Sequence, residues 1–150
     1  MSLDVWLMLE NGDPVHEPVP RIFIRRDGRQ MEISRAEWDE LNPEREPVTT
    51  MATTEGEVFS ANITHNLGGM ADQCGLYTPM WRPEELGITR AEQLIEPLEA
   101  GLKCLRLKRD ELQAFNPKNG WGDYEGLVEF TESYLIACCK WPQAEVKTWR

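Results

Sequence analysis

EVFSANITHNLGGMADQCGLYTPMWR, residues Glu57 to Arg82, is the stretch on which the reading of this chain turns. Ile63, Leu67, Met70, Ala71 and Cys74 recur at i, i+4, i+7, i+8 and i+11. At roughly 100° per residue these form one apolar stripe, so the spacing predicts a helix closed by Gly75. Asn62, Asn66, Gly69 and Gln73 follow the same spacing on the flank, with His65 adjacent to Asn62 and Gly69. Gly68-Gly69 within a helix costs on the order of 1 kcal/mol per glycine relative to alanine. The pair therefore implies close approach by a ligand or by another backbone. The plainer alternatives are that Ser60 or Asn62 is a helix N-cap, that His65 is solvated, and that the glycines admit a neighbouring helix.

Upstream, Val58-Phe59 reads as a short strand leading into that helix. At the start of the chain Leu3, Val5, Leu7 and Leu9 alternate with Asp4, Trp6 and Met8, a strand with one apolar face. Glu10 to Pro20, with Gly12, Pro14, Pro18 and Pro20, reads as a loop in which His16 is exposed. RIFIRRDGRQMEI, residues 21–33, reads as a hairpin turning at Asp27-Gly28, and a two-residue loop pairs Arg26 with Arg29, Ile24 with Met31 and Ile22 with Ile33. Ser34 and Glu37 form a capping box for a short helix through Leu41. Glu44 to Gly56 reads as a mobile connector. Residues 10–56 are thus an insertion within a single domain of residues 1–150.

Downstream, Leu76 to Pro83 reads as an irregular loop. Thr89 and Glu92 suggest a second capping box, followed by Ala91, Leu94, Ile95, Leu98, Leu102 and Leu105 at helical spacing, with Pro97 expected to kink or split the helix. Tyr124, Leu127, Val128, Thr131, Leu135 and Cys138 mark a last long helix, and EVKTW near the end alternates as a strand. Strands at both ends with helices between predict an α+β fold. Its small sheet is formed by the terminal strands and covered by three main helices, and the inserted hairpin either extends that sheet or sits apart.

The chain has 150 residues, a formal net charge of −10 and a pI near 4.7. Without a basic run it lacks the means to neutralise phosphates along a nucleic acid, so DNA and RNA are not expected partners. No segment approaches a membrane-spanning run and no leader pattern opens the chain, which predicts a soluble, cytoplasmic protein. Cys74, Cys104, Cys138 and Cys139 lie in apolar helical patterns without zinc-ligand spacing and read as buried thiols. No metal or cofactor is expected.

The segments SLDVWL, ANITHNLGGMADQCGLYTPMWRPEELGI, LIEPLEAGL, FNPKNGWGDYEGLVEF and AEVKTWR resemble a family of small uncharacterised phage, prophage and bacterial proteins. The resemblance covers Met1 to Leu9 and Glu57 to Arg150 and leaves the insertion outside it. It implies a phage setting, with action against host defence, and no particular activity.

Three polar-aromatic blocks supply the candidate site: Asn62, Thr64, His65 and Asn66; Trp81 and Arg82; and Asn119, Trp121, Tyr124 and Glu125. Arginine and helix N-termini favour an anion, the tryptophans offer stacking faces, and the amides present paired donors and acceptors. Their convergence would make a site for a nucleotide-like polar molecule. Packed loop anchors and an Arg82 paired with Glu84 or Glu85 are the alternative. Two other functions remain in play, a small enzyme with His65 as general acid or base, and a module acting on a host protein through its acidic surface or hairpin. No nucleophile elbow, Walker loop or paired-histidine motif favours catalysis. A homo-oligomer joined through a sheet edge is compatible with the sequence.

Overall fold

The computed structural model describes residues 2–9, 21–47, 49–50 and 56–150. The expected loop at 10–20 with His16, and the connector residues 48 and 51–55, lie outside the described residues.

The fold is α+β. Strand β1 (Ser2–Met8) is the centre of a three-stranded antiparallel sheet of order β5-β1-β6, with β5 at Glu57–Thr64 and β6 at Glu145–Trp149. Leu3, Val5 and Leu7 are fully buried, so the alternation read in the sequence is the alternation of the pleat. Opposite them stand Ile63, Ala61 and Phe59 of β5, which puts all six side chains on one face. That face packs under helices α4 (Glu92–Leu107) and α6 (Tyr124–Lys140), with the short helices α2 (Gly68–Asp72) and α3 (Tyr77–Trp81) completing the cover.

The expected helix along Ile63 to Cys74 is not one element. Residues through Thr64 are strand, and only a 3-10 turn at His65–Leu67 and the five residues of α2 follow. Pairing with β1 overrides the helical spacing, and Ile63 joins the core from β5. Gly75 does close the segment, with φ of 67°.

The inserted hairpin has the expected register: β2 (Arg21–Arg26) and β3 (Arg29–Ile33) pair Ile22 with Ile33, Ile24 with Met31 and Arg26 with Arg29. Asp27 and Gly28 take φ of 53° and 73°, the positive values a two-residue hairpin turn requires. With β4 (Thr49–Thr50) it forms a second sheet, separate from the first. Helix α1 (Arg35–Leu41) carries the Ser34–Glu37 capping box. The hairpin is tied to the body by Arg29, which donates to the Gly126 carbonyl at 3.2 Å and pairs with Glu129 of α6.

Leu76 to Pro83 is helical as well as looped, because Pro79 falls in the first turn of α3, where its missing N–H has no intrahelical partner to lose. The Thr89–Glu92 box does not form. Gln93 Oε1 instead accepts from the Thr89 and Arg90 backbone amides at 2.8 and 2.9 Å. Helix α4 runs unbroken through Pro97 and buries Leu94, Leu98, Leu102 and Leu105. Gly101 leaves a notch for Leu76, whose Cδ2 lies 2.1 Å from where a Cβ would sit. A short helix α5 (Arg109–Gln113) leads to the loop before α6.

Two cysteine expectations are corrected. Cys74 and Cys104 form a disulfide that joins the segment after α2 to α4, with Cα atoms 5.5 Å apart. Cys139 is exposed, and only Cys138 is the expected buried thiol. Burial pushes the Cys138 thiol up to about 12.

Candidate functional site

A cavity of about 860 Å³ opens where β5 ends, beneath the tip of the hairpin. Thr64 caps the 3-10 turn through its hydroxyl, which accepts from the Asn66 amide at 3.3 Å, and so fixes the exit of the chain from β5. This exit presents Asn62, Thr64, His65 and Asn66 to the cavity from strand and turn rather than from one helix flank. Asn62 is held by Asp4 of the neighbouring strand, donating from Nδ2 to Oδ1 at 2.6 Å.

Trp81, expected as a stacking platform, is instead a wall. It is 1% exposed, and its ring stacks on Tyr77 with centroids 5.4 Å apart and planes 14° from parallel. Its indole Nε1 donates to His65 Nδ1 at 2.8 Å. This contact requires an imidazole unprotonated at Nδ1, which leaves Nε2 as the donor. Burial, helped by the positive charge of Arg150, holds the His65 pKa below its ordinary value, with Asp4 acting in the opposite direction. His65 is accordingly a neutral, oriented hydrogen-bonding group at pH 7. Tyr77, half-buried and lining the cavity, is the aromatic of this helix that a ligand can reach.

The opposite wall is the loop before α6. Asn119 Oδ1 accepts from the Trp121 backbone amide at 3.0 Å, and Asn66 Nδ2 donates to the Trp121 carbonyl at 3.4 Å. Asn119 thus shapes the loop from within, and Asn66 holds it on the end of β5. The Trp121 side chain is 54% exposed. The loop closes in through glycines: a Cβ on Gly122 would meet Thr64 Cγ2 at 2.7 Å, and one on Gly28 would meet the Gly122 nitrogen at 3.0 Å. The hairpin tip and the loop thus meet backbone to backbone, and the loop meets the side chains of Thr64 and Leu67 at the strand end. Of the Gly68-Gly69 pair, only Gly68 lies against a neighbour, the Tyr77 ring 3.3 Å from the place of a Cβ, and Gly69 faces open space.

Eight of the ten residues singled out in the sequence line this cavity, and Tyr124 and Glu125 do not. Tyr124 is in the core, its hydroxyl donating to the Leu105 carbonyl at 2.7 Å, and Glu125 pairs with Arg109 at 3.2 Å on the surface. Both begin α6, whose first turn points them toward α4 and α5 instead. Arg82 lines the cavity while pairing with Glu85 at 3.3 Å, the partner the alternative reading gave it.

Ser2, Arg25, Gly28, Tyr77 and Arg150 line the cavity as well and were missed. The hairpin register puts Arg25 opposite Gln30, beyond the apolar pair Ile24–Met31 and on the other face, a polar position that gave no sign of the cavity. Arg150 donates from Nη1 to the Trp81 carbonyl at 2.6 Å and to Glu84 at 2.7 Å. Among the described residues the lining holds Arg25, Arg82 and Arg150 and no Asp or Glu side chain, in a chain of net charge −10. Arg25 makes no ion pair with any described residue. Arg82 and Arg150 are paired with Glu85 and Glu84 beside the cavity, so Arg25 is the lining cation left without an ion pair among the described residues.

Among the described residues no group of three or more His, Cys, Asp or Glu side chains could hold a metal ion, and no helix is long and apolar enough to cross a membrane. No family model, curated protein or solved structure matches the chain.

Proposed function

We propose that this cavity binds a small anionic molecule of nucleotide type. The carrying observation is its lining of three arginines without an Asp or Glu side chain among the described residues. Arg82 and Arg150 are paired with exposed glutamates, and such exposed pairs are worth about 0–1 kcal/mol, so a phosphate can displace them at little cost. Trp121 and Tyr77 offer ring faces, and His65 Nε2 offers an oriented donor. The site needs recognition groups only, and with His65 Nδ1 already engaged by Trp81 the imidazole fits recognition better than proton transfer. In the phage setting that the sequence resemblance implies, the protein would sequester a nucleotide-derived signal of host defence in the host cytoplasm.

Thermal-shift and native mass spectrometry against a panel of mono-, di- and cyclic nucleotides test this. The expected result is a retained ligand and a raised Tm, with Arg25→Ala and Arg82→Ala each weakening affinity about tenfold, the worth of one charge-assisted hydrogen bond. No shift and no retained mass with any nucleotide would end the reading.

A further inference from the structure

The outer face of the first sheet continues past the arginine cavity. On it Ser2 stands opposite Thr64, Asp4 opposite Asn62, and Trp6 opposite Ser60. From Ser2 to Trp6 this row of pairs extends about 13 Å, at ~3.3 Å per residue. Ser2 and Thr64 line the arginine cavity, Asp4, Trp6 and Ser60 line a second cavity of about 540 Å³, and Asn62 lines both. The hairpin lines both, with Arg25 and Gly28 at the first and Phe23 and Met31 at the second. The two cavities adjoin at Asn62, which lines both and whose Nδ2 donates to Asp4.

The cavities differ in chemistry. In the second, Arg21 is satisfied by Glu32 at 2.9 Å and Glu57 at 3.4 Å, and Arg29 is satisfied by Glu129. Asp4 accepts from Asn62. Its lining sets four carboxylates, Asp4, Glu32, Glu57 and Glu129, against two arginines and so disfavours an anion. What it adds is ring surface from Trp6 and from the face of Phe23 not covered by Arg21, with Phe59 and Phe130 reaching it from the core side. A phosphate gains nothing there, whereas a planar ring can bury its faces against those side chains.

We infer that the two cavities act as chambers of one groove whose ligand is a two-part molecule, with its anionic group among Arg25, Arg82 and Arg150 and a planar ring against Trp6 and Phe23. This rests on the anion reading of the first chamber. Linear dinucleotides set a ring one nucleotide further from the anionic group, a reach that suits the row of about 13 Å, whereas AMP carries both parts over a shorter span and pyrophosphate carries the anionic part alone. The Asn62 amide, at the junction, is placed to read the linkage between the two parts.

Calorimetry with inorganic pyrophosphate, AMP, NAD⁺ and the linear dinucleotide pApA provides the test, on the wild-type chain and on Phe23→Ala and Arg82→Ala. At least one dinucleotide should bind ten or more times tighter than AMP and pyrophosphate. Phe23→Ala should remove that advantage and leave pyrophosphate unchanged, and Arg82→Ala should weaken every ligand. Intermolecular NOEs from ligand ring protons to the Trp6 indole in the wild-type chain give the same answer without a variant. Pyrophosphate or AMP binding as tightly as both dinucleotides, with no NOE to Trp6, would overturn the groove while leaving the anion site standing. Absence of binding by all four would remove both.

Discussion

Gly122→Ala tests the junction that builds the cavity. Gly122 has φ of 95°, and a Cβ there would lie 2.7 Å from Thr64 Cγ2 and 3.0 Å from Leu67 Cδ1. A left-handed backbone costs an alanine about 1–2 kcal/mol. Forcing a methyl group into an occupied position costs about 1–3 kcal/mol more. The expected loss is therefore about 2–5 kcal/mol. Gly120, two residues earlier in the same loop, has φ of 75° and nothing within 4 Å of its virtual Cβ. Gly120→Ala should carry the backbone cost alone, about 1–2 kcal/mol. Urea denaturation followed by tryptophan fluorescence, with m-values checked for equality, measures both. The difference between the variants isolates the contact with Thr64 and Leu67. Equal losses within about 0.5 kcal/mol, the scatter expected for independent sites, would refute the packing of this loop on the end of β5.

Other expectations follow from the same geometry. The Tyr134 hydroxyl is buried without a hydrogen-bond partner among the described residues, and burial pushes its pKa well up, so Tyr134→Phe should leave stability unchanged or raise it by up to about 1 kcal/mol in the same assay. The Cys74–Cys104 bond spans a sequence separation of 30, for which chain entropy gives roughly 3.5 kcal/mol, so Cys104→Ser should lower stability by up to that amount. Because the His65 pKa is lowered in the folded protein, the unfolded chain binds the proton more readily; the contribution of His65 is in place above about pH 6.5 and is lost as the pH falls. Wild type should then lose more stability than His65→Gln between pH 7.5 and 5.5, and an equal loss would contradict the buried neutral imidazole. Gly101→Ala would drive a methyl group into Leu76 and should cost several kcal/mol by thermal or urea unfolding, about what overpacking a core entails.

Much of the fold was legible because its signals are local. Asp27-Gly28 admits a two-residue turn, and that turn alone fixes every pair of the hairpin. The alternation of Leu3, Val5 and Leu7 and the long stripe of α4 likewise needed no distant partner. Strand β5 was not legible in full, because Ala61 and Ser60 dilute its alternation and Ile63 happens to fall four residues before Leu67. What makes it a strand is β1, more than fifty residues away in sequence. The disulfide was hidden for the same reason, since the proximity of Cys74 and Cys104 follows from how the segment joining α2 to α3 lies against α4 and from no spacing. At the site, polar residues clustered in sequence did converge in space. Trp81 was expected as a stacking face and is buried, while Tyr77, not singled out in the sequence, faces the cavity, because which ring of α3 is buried depends on the turn that meets the core. Arg25 and Arg150 enter from the hairpin overhang and from the pairing of β6, and neither relation is written in the neighbouring residues.

Ser2 and Arg150 lie at opposite ends of the sequence, yet both line the same hollow, because β1 and β6 run side by side. Any tag or fusion partner attached ahead of Ser2 or beyond Arg150 therefore starts at the mouth of the groove. A histidine tag there would bring metal-chelating imidazoles, and a flexible linker would sweep the entrance, so a false negative in a ligand screen is built into the usual expression formats. Binding experiments call for a chain cleaved free of such additions, with immobilisation through an engineered cysteine on the exposed side of α4 as the geometry that leaves the entrance clear.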